Sequence, residues 1–186
     1  MKAYLTTIGE PTTEVSAWSL ERNGFEVVRV VGGGLLADKL KTVYELAEDD
    51  FMRIDADVVV NQDFTPDFVR QEIAAFPDAW WLQFQCFDWL KLNLSYGGVQ
   101  FIKKEAIPAL RSHVDGVHGA DRPETALSRI DAFYNPRRFE SSQTIIGLHG
   151  FALGEHTDRV LRQKKKRNHF ATYDFELAAK LEGLLK

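Results

Sequence analysis

The chain has few of the features expected of a secreted or membrane-spanning protein. Its 186 residues include one cysteine, so no disulfide can form within the chain, as is usual in a reducing compartment. No run of about eighteen apolar residues occurs, and the N-terminal MKAYLTTIGEPTTE meets a polar turn too early for a signal peptide. These absences predict a cytoplasmic protein.

A large excess of charge is also lacking. The net charge is -4 at pH 7, so nothing in the whole chain attracts nucleic acid or an anionic membrane, and no nucleic-acid partner is expected. Internal repeats and low-complexity segments do not occur. With 45% hydrophobic and 12% aromatic residues, the chain can instead form a globular domain with a sizeable core.

The first sixty residues alternate between strand-like and helix-like patterns. The strand-like segments are KAYLTTI at 2–8, FEVVRVV at 25–31 and FMRIDADVVV at 51–60, with helical patterns from Thr12 or Thr13 to before Gly24 and over 36–47. Such alternation is typical of right-handed crossovers that build a parallel sheet with helices on both faces. It predicts an α/β fold.

The second half is less regular. The patterns predict a helix over 65–76 capped by Thr65, strands over 80–87 and 94–102, a short helix over 105–112, a loop over 113–123, a helical stretch over 124–134 and a last short strand and turn over 144–154.

Asp55 and Asp57 are the most informative pair in the sequence. Residues i and i+2 of a strand point to the same face, so both carboxylates should project together. Two buried carboxylates repel each other unless a cation lies between them, and a hard divalent cation would meet that need. In the alternative, the strand ends at Ile54 and both aspartates are solvated loop or capping residues.

Three segments should meet near this pair. Ligands of open α/β sheets bind beyond the carboxyl ends of the strands. Those ends are the turn at 7–11, the glycine run at 32–34 and the two aspartates. They are therefore expected to converge.

RIDADVVV, preceded by two strand–helix units and followed by a mixed second half, resembles the Asp-x-Asp signature of the GT-A glycosyltransferases, in particular the family 2 type. The resemblance implies a three-layer α/β/α sandwich with a mostly parallel central sheet, formed as one catalytic domain over 1–155. It also implies that Asp55 and Asp57 bind Mn2+ or Mg2+ together with the diphosphate of a nucleotide sugar.

The opening TTIGEPTTE is similar to the loop after the first strand in that family. The resemblance implies that Thr7, Gly9 and Glu10 contact the base and ribose, although a plain turn is the alternative. Lys39 lies where the family often has residues facing the nucleotide, so it could offset phosphate charge. A solvated lysine on an exposed helix face is the alternative here.

Later segments add a pocket and a base. YGGVQFIKKEAIPAL resembles the strand and helix beside the acceptor and sugar pocket, where Gly97 and Gly98 would let the backbone approach a ligand, or would mark a bulge. DRPETALSRI is similar to the segment carrying the catalytic base, which falls on Glu124. Pro123 replaces the family's first acid, and the Asp121–Glu124 spacing also fits a helix capping box, so Asp121 is an alternative base.

GLHGF supplies the last candidate. Several GT-A enzymes use a histidine from a late segment as an additional metal ligand, and His149 fits that position. Imidazole nitrogen is compatible with manganese.

The function implied by the resemblance is sugar transfer, with inversion, from a nucleoside diphosphate sugar to an acceptor hydroxyl. A UDP-sugar is favoured as donor, and the acceptor is a glycan, a lipid-linked molecule or a small molecule. One alternative is a noncatalytic nucleotide-sugar or protein-binding domain of the same fold. Another is a sugar nucleotidyltransferase, which is less favoured because TTIGEPTTE has one glycine and no basic residue.

The C-terminal segment, 156–186, combines a basic cluster from Arg159 to Arg167 with an amphipathic helical pattern. We expect it to pack on the same domain. The cluster is either a solvated face or a site of weak peripheral contact with anionic lipid headgroups.

Overall fold

The computed structural model describes residues 1–32, 35–89, 92–120 and 122–150. These residues form a sheet flanked by helices. The strands are β1 (Lys2–Thr7), β2 (Glu26–Val31), β3 (Phe51–Asp55), β4 (Val58–Val60), β5 (Trp81–Asp88), β6 (Asn93–Ile102) and β7 (Phe139–His149). The α-helices are α1 (Thr13–Glu21), α2 (Leu36–Leu46), α3 (Pro66–Ala74), α4 (Ile107–His113), α5 (Pro123–Leu127) and α6 (Asp131–Tyr134), and 3-10 turns cover Lys104–Ala106 and Val114–Val117.

The seven strands lie in the order β2-β1-β3-β6-β5-β7-β4. β1 is parallel to both β2 and β3, and β5 is parallel to β7, whereas β6 is antiparallel to both β3 and β5. β2, β1, β3, β5 and β7 therefore run in one direction, and β6 and β4 run in the other. The predicted mostly parallel sheet is confirmed in this sense.

Two apolar clusters cover the two faces of the sheet. Met52 and Ile54 of β3 pack in one cluster with residues of α1 and α3, and Phe51 packs in the other with residues of α2, α4, α5 and α6. Successive side chains of a strand alternate between faces, so one strand serves both clusters. The layers are helix, sheet and helix, as predicted.

Local signals account for several boundaries. The Thr65 side chain accepts a hydrogen bond from the Phe68 backbone N–H, and Pro66 occupies the first turn of α3, as predicted. Gly24 has a φ of 91°, which suits glycine at the turn after α1. No helix among the described residues is both long and apolar enough to cross a membrane.

The predicted single strand over 51–60 is wrong. β3 ends at Asp55, Ala56 and Asp57 form a turn, and β4 begins at Val58. The break has a tertiary cause, because β3 pairs with β1 and β6 whereas β4 pairs with the far end of β7. An apolar run does not reveal that its two halves have different partners.

Three other boundaries differ from the predictions. β7 is longer than the predicted last strand and begins before it, at Phe139. The helical stretch predicted over 124–134 is two short helices, and the loop predicted over 113–123 contains a 3-10 turn. The predicted segment over 156–186, with its basic cluster, lies outside the described residues.

Candidate functional site

Asp55, Asp57 and His149 come together at the ends of β3 and β7. One ligand atom from each residue lies within 4.8 Å of the other two. Asp55 closes β3, Asp57 occupies the turn after it, and His149 closes β7, where it pairs with Val58 across the antiparallel β4–β7 ladder. The β4–β7 ladder brings His149 to the aspartates. The turn after β3, and not the expected i, i+2 alternation along one strand, sets the position of Asp57 relative to Asp55.

Asp57 is the more deeply buried of the two aspartates. It is 1% exposed, so its prediction as a solvated loop residue is wrong. Its Oδ1 lies 3.5 Å from His149 Nε2, and Gly150 N donates to its carbonyl oxygen at 2.7 Å. Burial lowers the pKa of His149, but Asp57 and Asp88 outweigh burial and hold that pKa above its usual value.

Arg53 contributes a positive charge that the sequence analysis did not consider. It shares a face of β3 with Asp55, two residues away, and its guanidinium is paired with Asp55 Oδ1. Arg53 is 1% exposed. The residue that shares a face of the strand with Asp55 is therefore the cation Arg53 and not the second aspartate. The i, i+2 spacing of Arg53 and Asp55 is visible in the sequence and could have identified this pair.

Asp88 is the second residue that the sequence analysis missed. It closes β5, is fully buried, and its Oδ2 lies 3.2 Å from His149 Nδ1. A lone aspartate at the end of a predicted strand carries no sequence signal for this contact.

The loop after β1 is stabilised by hydrogen bonds between its own residues. Thr7 Oγ1 donates to Glu10 Oε2 at 2.7 Å, and Ile8 N donates to the same oxygen at 2.8 Å. Gly9, with a φ of 92°, is exposed. Thr7 and Glu10 therefore organise the loop, and Gly9 presents backbone to solvent.

The end of β1 contacts both Asp55 and the described part of the glycine segment. Thr6 Oγ1 donates to Asp55 Oδ1 at 3.1 Å, and Gly32 N donates to the Thr7 carbonyl at 3.1 Å. Lys39 is 5% exposed, so the prediction of a solvated lysine is wrong. Its side chain lies beside Gly32, where a Cβ would meet Lys39 Cγ at 3.4 Å.

Gly97 and Gly98 lie in an irregular part of β6. Gln83 of β5 pairs with Gln100 and Gln85 pairs with Tyr96, so β6 has extra residues between them. A Cβ at Gly98 would meet Asp55 Oδ2 at 3.1 Å, and its φ of 76° also favours glycine. The predicted bulge is confirmed, and Gly98 leaves room for the Asp55 carboxylate.

Glu124 lies in the first turn of α5 and lines a cavity of about 680 Å³ between β5, β6 and the helices α5 and α6. Burial raises the pKa of Glu124 above that of an ordinary glutamate, and the nearby Arg53 opposes this only in part. Glu124 Oε2 is buried and accepts no hydrogen bond from the described residues. The alternative base, Asp121, lies outside the described residues, as do Gly33 and Gly34.

Two other cavity residues also present polar atoms without hydrogen-bond partners among the described residues. They are Gln100 Oε1 and Tyr96 OH, and Gln100 is only 4% exposed. Gln100 lies directly opposite Arg53 in the β3–β6 ladder, so the cavity begins beside the buried cation. Buried polar atoms are normally satisfied, which indicates a cavity suited to a ligand that forms hydrogen bonds or to ordered water.

The three-residue cluster fits a divalent cation by its chemistry. Two carboxylates and one imidazole offer oxygen and nitrogen donors, a mixture that suits Mn2+ better than Mg2+, which prefers oxygen alone. Buried carboxylates also gain from a cation beside them, since burial otherwise disfavours their charge.

Comparison with family models and with characterised protein sequences finds no match. Solved structures do match. A glycosyltransferase involved in the glycosylation of the major capsid of PBCV-1 is 14% identical, with a TM-score of 0.55 over 88% of this chain and 97% of that one. The glycosyltransferase GlyE of Streptococcus pneumoniae TIGR4 is 8% identical, with a TM-score of 0.55 over 99% of this chain and 63% of that one. The chain shares the GT-A-like fold of these two structures.

Proposed function

We propose that the protein is a metal-dependent glycosyltransferase that moves a sugar from a nucleoside diphosphate sugar to an acceptor hydroxyl, with inversion. The observation that carries this proposal is the convergence of Asp55, Asp57 and His149. Arg53 connects this cluster to the polar cavity that contains Glu124, because Arg53 pairs with Asp55 and lies opposite the cavity residue Gln100 in the β3–β6 ladder. The fold supports it, since the two similar structures described above are glycosyltransferases.

The donor diphosphate binds at the carboxyl ends of β1 and β3 in this proposal. Asp55, Asp57 and His149 would hold Mn2+ or Mg2+, which would supply positive charge beside the leaving diphosphate. Thr7, Gly9 and Glu10 shape the loop that receives the base and ribose, and Lys39 adds positive charge near Gly32.

The acceptor hydroxyl lies in the cavity. Glu124 takes its proton as the oxygen attacks the anomeric carbon, the role of a general base. Gln100 Oε1 and Tyr96 OH orient neighbouring hydroxyls through the hydrogen bonds that no described residue supplies. Gly97 and Gly98 let the β6 backbone approach the bound sugar closely.

A sugar nucleotidyltransferase is a weaker explanation of the same fold. In such an enzyme the loop after the first strand would need positive charge to bind a triphosphate. In this chain that loop instead contains the Glu10 carboxylate, which accepts hydrogen bonds from Thr7 Oγ1 and Ile8 N.

Calorimetry with UDP, GDP, dTDP and CMP tests the donor site. Each nucleotide is titrated into wild type and Asp57→Asn, with Mn2+ and with a chelator. We expect one diphosphate to bind the wild type only with Mn2+ and to lose that binding in Asp57→Asn. Asp63→Asn removes the same charge from an exposed position and serves as the matched control. Nucleotide binding with the same affinity in the presence of Mn2+ or chelator, and in wild type or Asp57→Asn, would refute the proposed donor site.

Turnover tests the base separately. Glu124→Gln keeps the shape of the side chain but cannot accept a proton at neutral pH. We expect it to bind the donor as wild type does while release of the sugar from the donor falls at least about a hundredfold. A protein with donor binding and no turnover even in wild type would be the noncatalytic binding domain.

A further inference from the structure

Asp88 lies beside the candidate metal cluster without belonging to it. It is the last residue of β5, it is fully buried, and in the parallel β5–β7 ladder it is paired with His149. Trp89 N donates to the His149 carbonyl at 2.8 Å, which fixes the two strand ends against each other. The backbone thus holds this carboxylate and this imidazole side by side.

The two ring nitrogens of His149 face different carboxylates. Nδ1 lies 3.2 Å from Asp88 Oδ2, and Nε2 lies 3.5 Å from Asp57 Oδ1. The Nδ1–Asp88 contact is the shorter of the two and is a hydrogen bond. An ionised carboxylate can only accept, so this hydrogen bond favours the tautomer with the hydrogen on Nδ1. A neutral His149 then directs the lone pair of Nε2 toward Asp57 and Asp55.

Asp88 is itself held from a second strand. Ser95 Oγ of β6 donates to Asp88 Oδ2 at 3.4 Å. The carboxylate that orients the ring therefore has contacts to both neighbouring strands of β5.

We propose that Asp88 is a positioning residue, which fixes the Nδ1–H tautomer and the orientation of His149 so that Nε2 can bind a divalent cation together with Asp55 and Asp57. The proposal rests on the metal site of the proposed function but not on sugar transfer or on the identity of the donor. Carboxylates that orient a metal-binding histidine typically change metal affinity tenfold to hundredfold when they are replaced.

Direct titration of the 186-residue chain with Mn2+, in the absence of nucleotide, tests the role of Asp88. Bound and free Mn2+ are distinguished by electron paramagnetic resonance. We expect Asp88→Asn to weaken Mn2+ binding by about tenfold to hundredfold. Asp78→Asn removes the same charge from an exposed position before the other end of β5 and should leave the affinity unchanged.

Nitrogen NMR of the His149 ring in wild-type protein provides a measurement that does not depend on how the variant folds. We expect hydrogen on Nδ1, and a shift of the Nε2 resonance when the diamagnetic ion Mg2+ or Zn2+ is added. The proposal is overturned if Asp88→Asn binds Mn2+ as tightly as wild type, if the added ion shifts Nδ1 instead, or if wild type binds no metal. Metal binding with the expected loss in Asp88→Asn, but with no nucleotide binding in calorimetry, would uphold this role and reject the proposed transferase.

Discussion

Asp55 and Asp57 are one residue apart, yet their surroundings differ. Asp55 ends a strand, retains some exposure to solvent, and accepts from the permanently charged Arg53 and from Thr6. Asp57 is buried in the turn and faces His149, whose charge depends on a proton. The fixed charge of Arg53 therefore acts on Asp55 more strongly than on Asp57, while the charge of His149, which faces Asp57, can change. Asp57 should depend more strongly on an added cation.

The largest expected effect comes from removing the fixed counter-charge. Arg53→Met leaves Asp55 without its cation, and breaking a buried ion pair typically costs about 3–5 kcal/mol. We expect a loss of about 3 kcal/mol in the free energy of unfolding, measured with urea, because Asp55 is partly exposed and solvent offsets some of the penalty.

Arg29→Met is the matched control for this substitution. Arg29 also pairs with carboxylates, those of Glu14 and Glu21, but at the surface, where such pairs contribute up to about 1 kcal/mol. Equal losses in the two variants would mean that the Arg53–Asp55 pair is no more important than a surface pair. The double variant Arg53→Met, Asp55→Asn should recover part of the stability.

The two aspartates should also differ in metal affinity. Because Arg53 already neutralises Asp55, Asp57→Asn should weaken Mn2+ binding by at least about tenfold more than Asp55→Asn, a difference of about 1.4 kcal/mol. Titration with Mn2+ alone measures both. Equal losses would show that the two acids contribute alike despite their surroundings.

Glu124 is a further carboxylate whose charge interacts with Arg53. Its pKa is raised by burial, so the folded protein binds its proton more readily than the unfolded chain does. This stabilises the fold below the ordinary pKa of 4.5, and the stabilisation is lost as the pH rises through the folded pKa. At pH 7 the ionised Glu124 is therefore a cost, and Glu124→Gln should melt at a higher temperature than wild type.

Melting temperatures of Glu124→Gln and wild type measured over a range of pH test the direction of the Glu124 pKa shift. The gain in melting temperature of Glu124→Gln should shrink toward zero as the pH falls below 4.5. If Glu124 is the proposed base, the acidic limb of kcat/KM in wild type should lie above 4.5, since a base acts only when ionised. A gain that grows at low pH would contradict the raised pKa.

The smallest expected effect concerns Cys86. Burial, with Asp57 and Asp55 adding to it, raises the pKa of this thiol to about 12. The thiolate is the reactive form, so a thiol reagent at pH 8 should modify Cys86 only in urea-unfolded protein. Rapid modification of the native protein would indicate that the β5 interior beside the site opens readily.

Local patterns in the sequence were sufficient to predict the first two strands, the helix after each of them, and the start of the third strand. The alternation of strand and helix patterns, the Thr65 cap and the Gly24 turn each depend on residues close together in the sequence. The structure contains all three features. His149 was placed near the aspartates by a family resemblance, and the structure brings these residues together. Their roles in binding and catalysis stay predictions.

What the sequence analysis missed depends on pairing between distant strands. The turn at Ala56–Asp57 exists because β4 pairs with β7 and not with the neighbours of β3. Asp88 gains its contact only when β5 and β7 lie in register. Arg53 is the exception, since its position two residues before Asp55 was visible, but an arginine in an apolar strand was not considered as a partner.

β7 is the strand that joins the two ends of the site, because it pairs with β5 along most of its length and with β4 at its end. The approach to β4 is close at Gly147, where a Cβ would lie 2.2 Å from the Val59 carbonyl oxygen. A cation shared by Asp57 and His149 would therefore act as a reversible cross-link between remote parts of the chain. At a concentration a hundredfold above its dissociation constant, such a ligand adds about 2.7 kcal/mol to the stability of the folded state. The availability of metal would then influence the lifetime of the protein as well as its chemistry.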